Sequence, residues 1–308
     1  MLAQALAPNF LILYGLLASA LFVHFRGNVR HRFTRQLTDH STFLAPVNVF
    51  MYAFSAVPNK PLLDTRDFPE MQLIRDNWET IRDEALALED NGAIRAATDY
   101  NDLGFNSFYR RGWRRFYLRW YAEDFHPSAM EKCPRTVELL RQVPTIQAAM
   151  FTLLPPGGRL VAHRDPYAGS LRYHLGLVTP NDDRCRIYID GSPYSWRDGE
   201  DVVFDETYIH WAVNETDRDR IIFFADIERP MRNRFARAVN RFLRTYFVAA
   251  AKTSNEDGEP VGFLNRAFKY VYRVRLLGKR LKAHNRTLYY AQKYLIIALI
   301  LAAVIWWL

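Results

Sequence analysis

A run of short strand-like segments between residues 146 and 228 constrains the fold of this chain more than any other feature. Each segment is rich in β-branched or aromatic residues and is bounded by glycine, proline, aspartate or asparagine. A Pro-Pro-Gly-Gly sequence at 155–158 is a strong turn signal between the first two. The segments are FTLL, RLVAH, LRYHLGLVT, RCRIYID, DVVFDE and RIIFFADI. Short strands at this spacing are typical of an antiparallel sandwich or jelly roll, so we predict a mainly β fold with flanking helices.

Two histidines and an aspartate within this region form a candidate metal site. His163 and Asp165 are two residues apart on a predicted strand, so their side chains point to the same face. His210 lies on a later strand-like segment and could complete a facial triad of two histidines and one carboxylate. Such a triad leaves coordination positions open and suits non-haem Fe(II) oxygenases. The tripeptide His-x-Asp alone is common and is weak support for a metal site.

Two arginines lie in apolar strand-like segments, where an unpaired charge is costly to bury. Arg172 alternates with His174, so both side chains face the same way, and Arg220 begins the segment that follows His210. A guanidinium binds a carboxylate through two parallel hydrogen bonds. That carboxylate could belong to a cosubstrate such as 2-oxoglutarate or to a structural residue such as Asp205 or Asp226. The residue types alone leave both alternatives open.

Two longer stretches, HRDPYAGSLRYHLGL and FDETYIHWAVNETDRDRIIFFADIERP, resemble the aspartyl/asparaginyl β-hydroxylase family. The resemblance spans roughly residues 65–230, and within the family the chain is most similar to bacterial lipid A acyl-chain hydroxylases. Peptide hydroxylases of this family can lack the metal-binding carboxylate, whereas this sequence keeps Asp165. The resemblance implies a double-stranded β-helix (jelly roll) fold and a reaction that uses Fe(II), 2-oxoglutarate and O2.

The same resemblance implies roles for seven residues of the predicted site. The iron ligands would be His163, Asp165 and His210. Arg220 would bind the distal carboxylate of 2-oxoglutarate, with the hydroxyl of Thr152 assisting it. Arg172 and His174 would contact the carboxylate that lies near the metal.

The two ends of the chain predict an association with a membrane. Residues 1–25 contain no Asp, Glu, Lys or Arg, and we predict a transmembrane helix there. Residues 26–64 form a basic juxtamembrane connector before the predicted dioxygenase domain at 65–230. Residues 294–308 are a hydrophobic membrane segment, which is short for a full span and could instead be re-entrant or interfacial.

Basic residues dominate the region between the domain and the C-terminal segment. The chain carries a net charge of +8, and residues 231–293 combine many lysines and arginines with apolar residues at helical spacing. Basic amphipathic helices of this kind lie on anionic membrane surfaces. The basic flanks of both terminal segments predict that the domain is on the cytoplasmic side of a bacterial inner membrane. We therefore expect anionic inner-leaflet lipids as partners.

Arginines also alternate with aromatic residues between 108 and 121, in the sequence FYRRGWRRFYLRWY. Stacking on nucleic-acid bases and contact with a membrane interface are both consistent with this composition. A strand with one buried face, WRRFYLRW, explains the aromatics more simply, so we expect no nucleic-acid partner.

These features predict an Fe(II)- and 2-oxoglutarate-dependent dioxygenase that hydroxylates the 2-position of a fatty acyl chain in a membrane lipid. Lipid A is the expected substrate from the resemblance. An aminolipid or an Asp or Asn side chain of a peptide is the alternative substrate. The non-enzyme alternative is a membrane protein that binds anionic lipids. It would leave the combination of His163, Asp165, His210 and Arg220 unexplained.

Overall fold

A computed structural model describes residues 8–95, 102, 112–121, 124–256 and 258–307 of the chain. In this part of the chain the strands form one six-stranded and one four-stranded antiparallel sheet. The strands are β1 Leu62–Leu63, β2 Arg114–Trp120, β3 Ile146–Leu154, β4 Arg159–His163, β5 Ser170–Val178, β6 Cys185–Ile189, β7 Ser192–Ser195, β8 Asp201–Phe204, β9 His210–Asn214 and β10 Arg220–Glu228.

The order of the strands defines a jelly roll. The larger sheet runs β1-β8-β5-β10-β3-β2 and the smaller sheet runs β4-β9-β6-β7. From β3 to β10 the chain passes back and forth between the two sheets, which is the winding of a double-stranded β-helix. The predicted core fold is therefore confirmed. The short strands β1 and β7 were not predicted, because segments of two and four residues carry too little pattern to be recognised.

Helices flank both sides of this β core. They are α1 Pro8–Phe25, α2 Phe33–Gln36, α3 His40–Phe43, α4 Ala45–Ala53, α5 Gln72–Asp76, α6 Trp78–Asp90, α7 Pro127–Lys132, α8 Pro134–Arg141, α9 Arg234–Leu243, α10 Phe263–His284 and α11 Arg286–Trp307. Short 3-10 turns precede α5 at Thr65–Asp67 and Pro69–Met71, and a π-helical turn, Arg244–Val248, follows α9.

The helical layer on the outer face of the larger sheet differs from the sequence prediction in one respect. Apolar residues at helical spacing between 67 and 90 predict a single helix over this stretch, but the structure breaks it at Asn77 between α5 and α6. The Asn77 side chain donates to the Leu73 carbonyl, and asparagine competes in this way with the helical hydrogen bonds. The predicted apolar face is present, since Ile81, Ala85 and Leu88 of α6 are buried against the sheet core.

A second apolar cluster fills the space between the two sheets. Trp196 and Phe204 are among its fully buried members, and aromatic residues of β2 also contribute to it. The predicted strand at 113–120 is present, but most of its side chains are buried on both faces rather than on one. Residues 108–111 of the arginine-rich segment lie outside the described part of the chain.

The N-terminal helices pack against the end of the core that carries the His-x-Asp sequence. Val23 near the end of α1 is buried in a cluster with Met51 and Tyr52 of α4. Just after α1, the Arg26 guanidinium donates to the buried Asp205 carboxylate at 2.5 Å and lies 3.8 Å from the centroid of the Tyr52 ring. These contacts join the predicted connector firmly to the β core.

A transmembrane helix was predicted at 1–25, and a hydrophobic membrane segment that is short for a full span at 294–308. No helix in the described ranges is both long enough and apolar enough to cross a membrane. Helix α1 has 18 residues, a rise of about 27 Å against a hydrocarbon core of about 30 Å. In α11 the apolar run begins only after Lys293. Residues 1–7 and Leu308 of the predicted segments at 1–25 and 294–308 lie outside the described residues.

The basic region at 231–293 contains helices, as predicted, and residues 254–256 and 258–260 lie in a loop between them. That loop is docked on the β core, because Asn255 forms two hydrogen bonds of 2.7 Å with the backbone of Tyr117 in β2. Glu259 accepts hydrogen bonds from Ser128 and lies 3.3 Å from His126. Since β2 is an edge strand of the larger sheet, the loop covers an edge that could otherwise pair with another chain.

Candidate metal centre and adjacent pocket

Two neighbouring strands of the smaller sheet bring the three candidate ligands together. His163 ends β4 and His210 begins β9, and the two residues face each other in the antiparallel register. Asp165 follows two residues after His163, and its carboxylate lies 3.6 Å from His163 Nε2. One potential ligand atom from each of the three side chains lies within 4.8 Å of the others. The predicted triad is therefore assembled at one point of the fold.

The orientation of both histidines suits metal binding. His163 Nδ1 lies 2.7 Å from the Val161 carbonyl, and His210 Nδ1 lies 3.0 Å from the Tyr208 carbonyl. A carbonyl only accepts hydrogen bonds, so each Nδ1 carries the proton and each Nε2 carries the lone pair that can bind a metal. Burial lowers the pKa of His163 below its usual range and the pKa of His210 to about 3. Both imidazoles are therefore neutral at physiological pH, as a metal ligand must be.

Arg172 holds the third candidate ligand in place. Its Nη2 donates to Asp165 Oδ2 at 2.7 Å, while Asp165 Oδ1 faces His163. Burial alone would raise the pKa of Asp165, but the Arg172 guanidinium and the two histidines hold that pKa well below its usual range. Asp165 is thus a carboxylate with one oxygen fixed by an arginine and the other directed towards the triad.

The Arg172 guanidinium also binds two further buried carboxylates. Its Nε donates to Asp226 at 2.7 Å, and it forms an ion pair with Glu206. Asp226 receives a second hydrogen bond of 2.9 Å from the Tyr121 hydroxyl. Burial raises the pKa of Glu206 well above its usual range and also raises the pKa of Asp226. The structural alternative considered for Arg172, a pair with Asp226, is what the structure contains.

Arg220 has a different environment in the same pocket. Its side chain is 2% exposed, and its guanidinium carbon lies 4.5 Å from the centroid of the Trp196 ring. Among the described residues no carboxylate pairs with it, and its Nε and Nη2 atoms are buried without a hydrogen-bond partner. Burial lowers the pKa of Arg220 to about 10, so the group is still protonated at neutral pH. A buried cation without a counter-ion is costly, which points to an anionic ligand as its partner.

Thr152 and His174 complete the same end of the pocket. Thr152 of β3 is opposite Ile222 of β10, and Arg220 is two residues before Ile222 on the same strand. The side chains of Thr152 and Arg220 therefore lie on the same face of the sheet. Its hydroxyl is buried with no partner among the described residues. His174 Nδ1 receives a hydrogen bond of 3.4 Å from the indole of Trp196, and burial lowers the pKa of His174 well below its usual range. The neutral ring therefore carries its proton on Nε2, which is also buried and unpaired in this part of the chain.

The predicted site residues thus line one pocket, which lies between the sheets. The triad lies at one end of this pocket. The groups of Arg220, Thr152 and His174 that have no partner among the described residues lie at the other end. Arg172 is the exception, since its guanidinium is already engaged with three carboxylates rather than available to a cosubstrate.

A family model described as aspartyl/asparaginyl beta-hydroxylase matches residues 75–230, which is half of the chain. This chain belongs to that family. The matched region lies inside the domain predicted at 65–230 and contains all seven predicted site residues. The resemblance inferred from the two quoted stretches is confirmed.

Several curated proteins are similar to the chain over the same region. An ornithine lipid ester-linked acyl 2-hydroxylase from Rhizobium tropici is 32% identical over 190 residues, which cover 61% of this chain and 66% of that protein. The human aspartyl/asparaginyl beta-hydroxylase is 26% identical over 188 residues, or 58% of this chain and 24% of the human protein. The chain thus spans about two thirds of the bacterial relative and a quarter of the human one.

Solved structures are more distant. A prolyl-4-hydroxylase from Pseudomonas putida aligns with 50% of this chain and 87% of its own length, at 15% identity and a TM-score of 0.34. The assignment of a jelly roll here follows from the strand order itself.

Sequence reasoning missed three residues that shape the site. Trp196 lies beneath Arg220 and donates to His174, Glu206 pairs with Arg172, and Tyr121 donates to Asp226. Glu206 had a signal in the sequence, because a carboxylate next to an apolar segment needs a buried cation as a partner. Trp196 follows a short strand that the pattern did not reveal, so nothing in the sequence marked it.

Proposed function

We propose that this protein is an Fe(II)- and 2-oxoglutarate-dependent hydroxylase that acts on a fatty acyl chain of a membrane lipid. The observation that carries the proposal is the combination, in one pocket, of a His-Asp-His triad with a buried arginine that has no counter-ion among the described residues. A structural metal site would not need the arginine, and a simple anion site would not need the triad.

The residues fit the two implied groups on chemical grounds. Two neutral imidazoles and one carboxylate form the donor set that non-haem Fe(II) prefers, and three ligands leave coordination positions for a cosubstrate and O2. When bound, iron with 2-oxoglutarate and O2 supplies the oxidising chemistry that inserts oxygen into an unactivated C–H bond. His163, Asp165 and His210 would hold the metal. Arg220 would bind the distal carboxylate of 2-oxoglutarate, with Thr152 as a second hydrogen-bond donor.

The remaining groups position these contacts. His174 Nε2–H can donate to a carboxylate in the pocket, since Trp196 holds its ring in the required tautomer. Arg172 fixes the orientation of Asp165 rather than binding the cosubstrate, and Asp226 fixes Arg172 in turn. The apolar walls of the pocket, such as Leu160 and Phe224, exclude water from the reacting carbon.

The substrate we propose is a lipid whose acyl chain is hydroxylated at the 2-position. Lipid A is the substrate expected from the sequence resemblance, and the name of the Rhizobium relative favours an ornithine lipid as the second candidate. Both are amphiphiles that remain in a membrane, and the net charge of +8 favours contact with anionic headgroups. We propose that the reaction occurs on the cytoplasmic side of a bacterial inner membrane, where 2-oxoglutarate is available and Fe(II) stays reduced.

The direct test is incubation of the purified full chain with Fe(II), 2-oxoglutarate and separate lipid A and ornithine-lipid preparations. Mass spectrometry should detect an acyl chain that has gained one oxygen, with one succinate formed for each hydroxyl. Omission of iron should abolish both products. Hydroxylation of an Asp- or Asn-containing peptide, with neither lipid modified, would overturn the lipid assignment in favour of a peptide hydroxylase. Absence of succinate with every substrate would overturn the proposed enzyme class.

A further inference from the structure

Residues 30–43, which contain α2 and α3, form a segment that we call the entrance segment. We propose that the entrance segment inserts its apolar side chains into the surface of an anionic lipid leaflet and so brings an acyl chain to the metal centre. This inference rests on the proposed function and adds to it the surface of the protein that meets the substrate.

The entrance segment is attached directly to the end of β4 and the residues just after it, which carry the candidate ligands His163 and Asp165. Arg35 Nη2 donates to the Ala162 carbonyl at 3.0 Å, and His40 Nε2 lies 2.9 Å from the Arg164 carbonyl. These two carbonyls flank His163 in the sequence. A shift of the entrance segment would therefore move these residues with it.

The metal centre reaches the molecular surface beside this segment. The side chains of His163 and Asp165 are 17% and 18% exposed, in contrast to the buried Arg220 at the other end of the pocket. Val161, two residues before His163, is 42% exposed. A substrate that approaches along β4 therefore meets the triad before it meets the cosubstrate-binding groups.

Large apolar side chains on the entrance segment are directed into solvent. Phe33, Leu37 and Phe43 are 58%, 54% and 72% exposed. The apolar surface continues onto the end of α1, where Phe22 and Phe25 are each about half exposed. His24 lies between two of these rings, with its ring centroid 4.8 Å from that of Phe25 and 5.8 Å from that of Phe33. Several large exposed apolar side chains in one short stretch mark an interaction site, since single exposed residues are common.

The charge of the segment identifies a leaflet as the partner. Arg30, Arg32 and Arg35 are exposed between the apolar residues. The one acidic residue in the segment, Asp39, accepts a hydrogen bond from the Ser41 amide and so acts within its own turn. Arginines at the level of lipid phosphates, with aromatic and aliphatic side chains just below them, are the pattern of a segment that lies in the plane of an interface.

The insertion depth of a label can test this surface without any enzymatic readout. Cys133 and Cys185 are buried, so a new surface cysteine can be modified selectively in the full chain. We would attach an environment-sensitive fluorophore in the Phe43→Cys variant, with Glu138→Cys on α8 as the matched control. The two proteins would be mixed with vesicles of equal parts phosphatidylglycerol and phosphatidylcholine, containing quencher groups at known acyl depths.

The label at position 43 should shift its emission to shorter wavelength and be quenched by shallow acyl-chain quenchers, about 5–10 Å below the headgroups. The label at position 138 should show neither change. A label at position 43 that stays in water while the protein is bound to the vesicles would overturn the proposal, as would equal insertion of both labels. Because no turnover is needed, this result is independent of whether the proposed reaction is correct.

A pair of variants links the surface to delivery of the substrate. The double change Phe33→Ser and Phe43→Ser should lower hydroxylation of vesicle lipid on the order of 10-fold, because two partly inserted side chains are lost. Affinity for 2-oxoglutarate should not change, since neither residue lines that pocket. Phe43→Leu should retain most of the activity. An unchanged rate in the double variant would show that acyl chains reach the triad by another route and would overturn the proposal. If even the unaltered protein hydroxylates no lipid, the proposed function fails. The depth measurement still tests whether the entrance segment inserts into the leaflet.

Discussion

Arg172 and Arg220 occupy adjacent strands of the larger sheet, β5 and β10, and have opposite surroundings. Each is buried, and each guanidinium lies over an aromatic ring, Phe224 for Arg172 and Trp196 for Arg220. Arg172 is paired with three carboxylates. Arg220 has no acidic partner in the described part of the chain.

The difference separates an arginine that builds the site from one that binds a ligand. A buried ion pair holds two parts of a fold in register, and its removal leaves uncompensated charges. A buried cation without a partner lowers the stability of the free protein and is explained by a ligand that supplies the missing anion. Arg172 therefore positions Asp165, and Arg220 is the residue that would recognise 2-oxoglutarate.

The largest effect should come from loss of a metal ligand at the Arg172 end of the pocket. His210→Ala removes one of three donors, so bound iron and turnover should both fall to background. Metal content and succinate formation measure the two effects. His284→Ala, at the exposed end of α10, is the matched control and should behave like the unaltered protein. Retention of stoichiometric iron by His210→Ala would remove this residue from the proposed triad.

Removal of Arg172 should destabilise the fold itself. In Arg172→Leu, the carboxylates of Asp165, Glu206 and Asp226 lose their common cation, and the free energy of unfolding should fall by about 3–5 kcal/mol. Urea denaturation of the metal-free protein in detergent measures this change. Arg220→Leu is the matched control, because it removes a charge that has no acidic partner in the described ranges and should not lower stability. Equal losses of unfolding free energy in the two variants would contradict the different roles assigned to Arg172 and Arg220.

The same Arg220→Leu variant should show its effect on the cosubstrate. The concentration of 2-oxoglutarate needed for half-maximal activity should rise on the order of 100-fold, because a charge-assisted bidentate contact is lost. Succinate formation over a range of 2-oxoglutarate concentrations measures the effect, and iron content should stay constant. If the half-saturating concentration does not change, another cation binds the cosubstrate.

The smallest effect should follow from Trp196→Phe. Phenylalanine keeps an aromatic ring beneath Arg220 but cannot donate to His174 Nδ1, so the tautomer of His174 is no longer fixed. A neutral hydrogen bond contributes about 1 kcal/mol, which corresponds to roughly a five-fold loss of affinity for 2-oxoglutarate. The variant Trp196→Ala should lose more, since it also removes the ring. A Trp196→Phe variant with the same affinity as the unaltered protein would show that the indole N–H has no role in binding. Identical losses in the two variants would show that the ring has none.

Much of the fold was predictable from local sequence. Strands with clear turn signals, such as β4 after the Pro-Pro-Gly-Gly turn, lie where the pattern puts them. The break at Asn77 was not predictable, because one side chain that competes for one carbonyl hardly changes the apolar pattern. The short strand β7 was not predictable, because four residues carry too little pattern. The transmembrane helix predicted at 1–25 was inferred from hydropathy, and none of the described helices is both long and apolar enough to cross a membrane.

The sequence by itself determined the chemical identities at the site. It contained the triad, both arginines and the two neighbouring side chains, Thr152 and His174, because residue type and alternation along a strand are local properties. Only the tertiary structure decided which arginine is free to bind a ligand. That choice depends on carboxylates such as Asp226, which is 54 residues from Arg172 in the chain but lies opposite it in the sheet register. Charge compensation acts through distances of a few ångströms, and those distances exist only once the strands have paired.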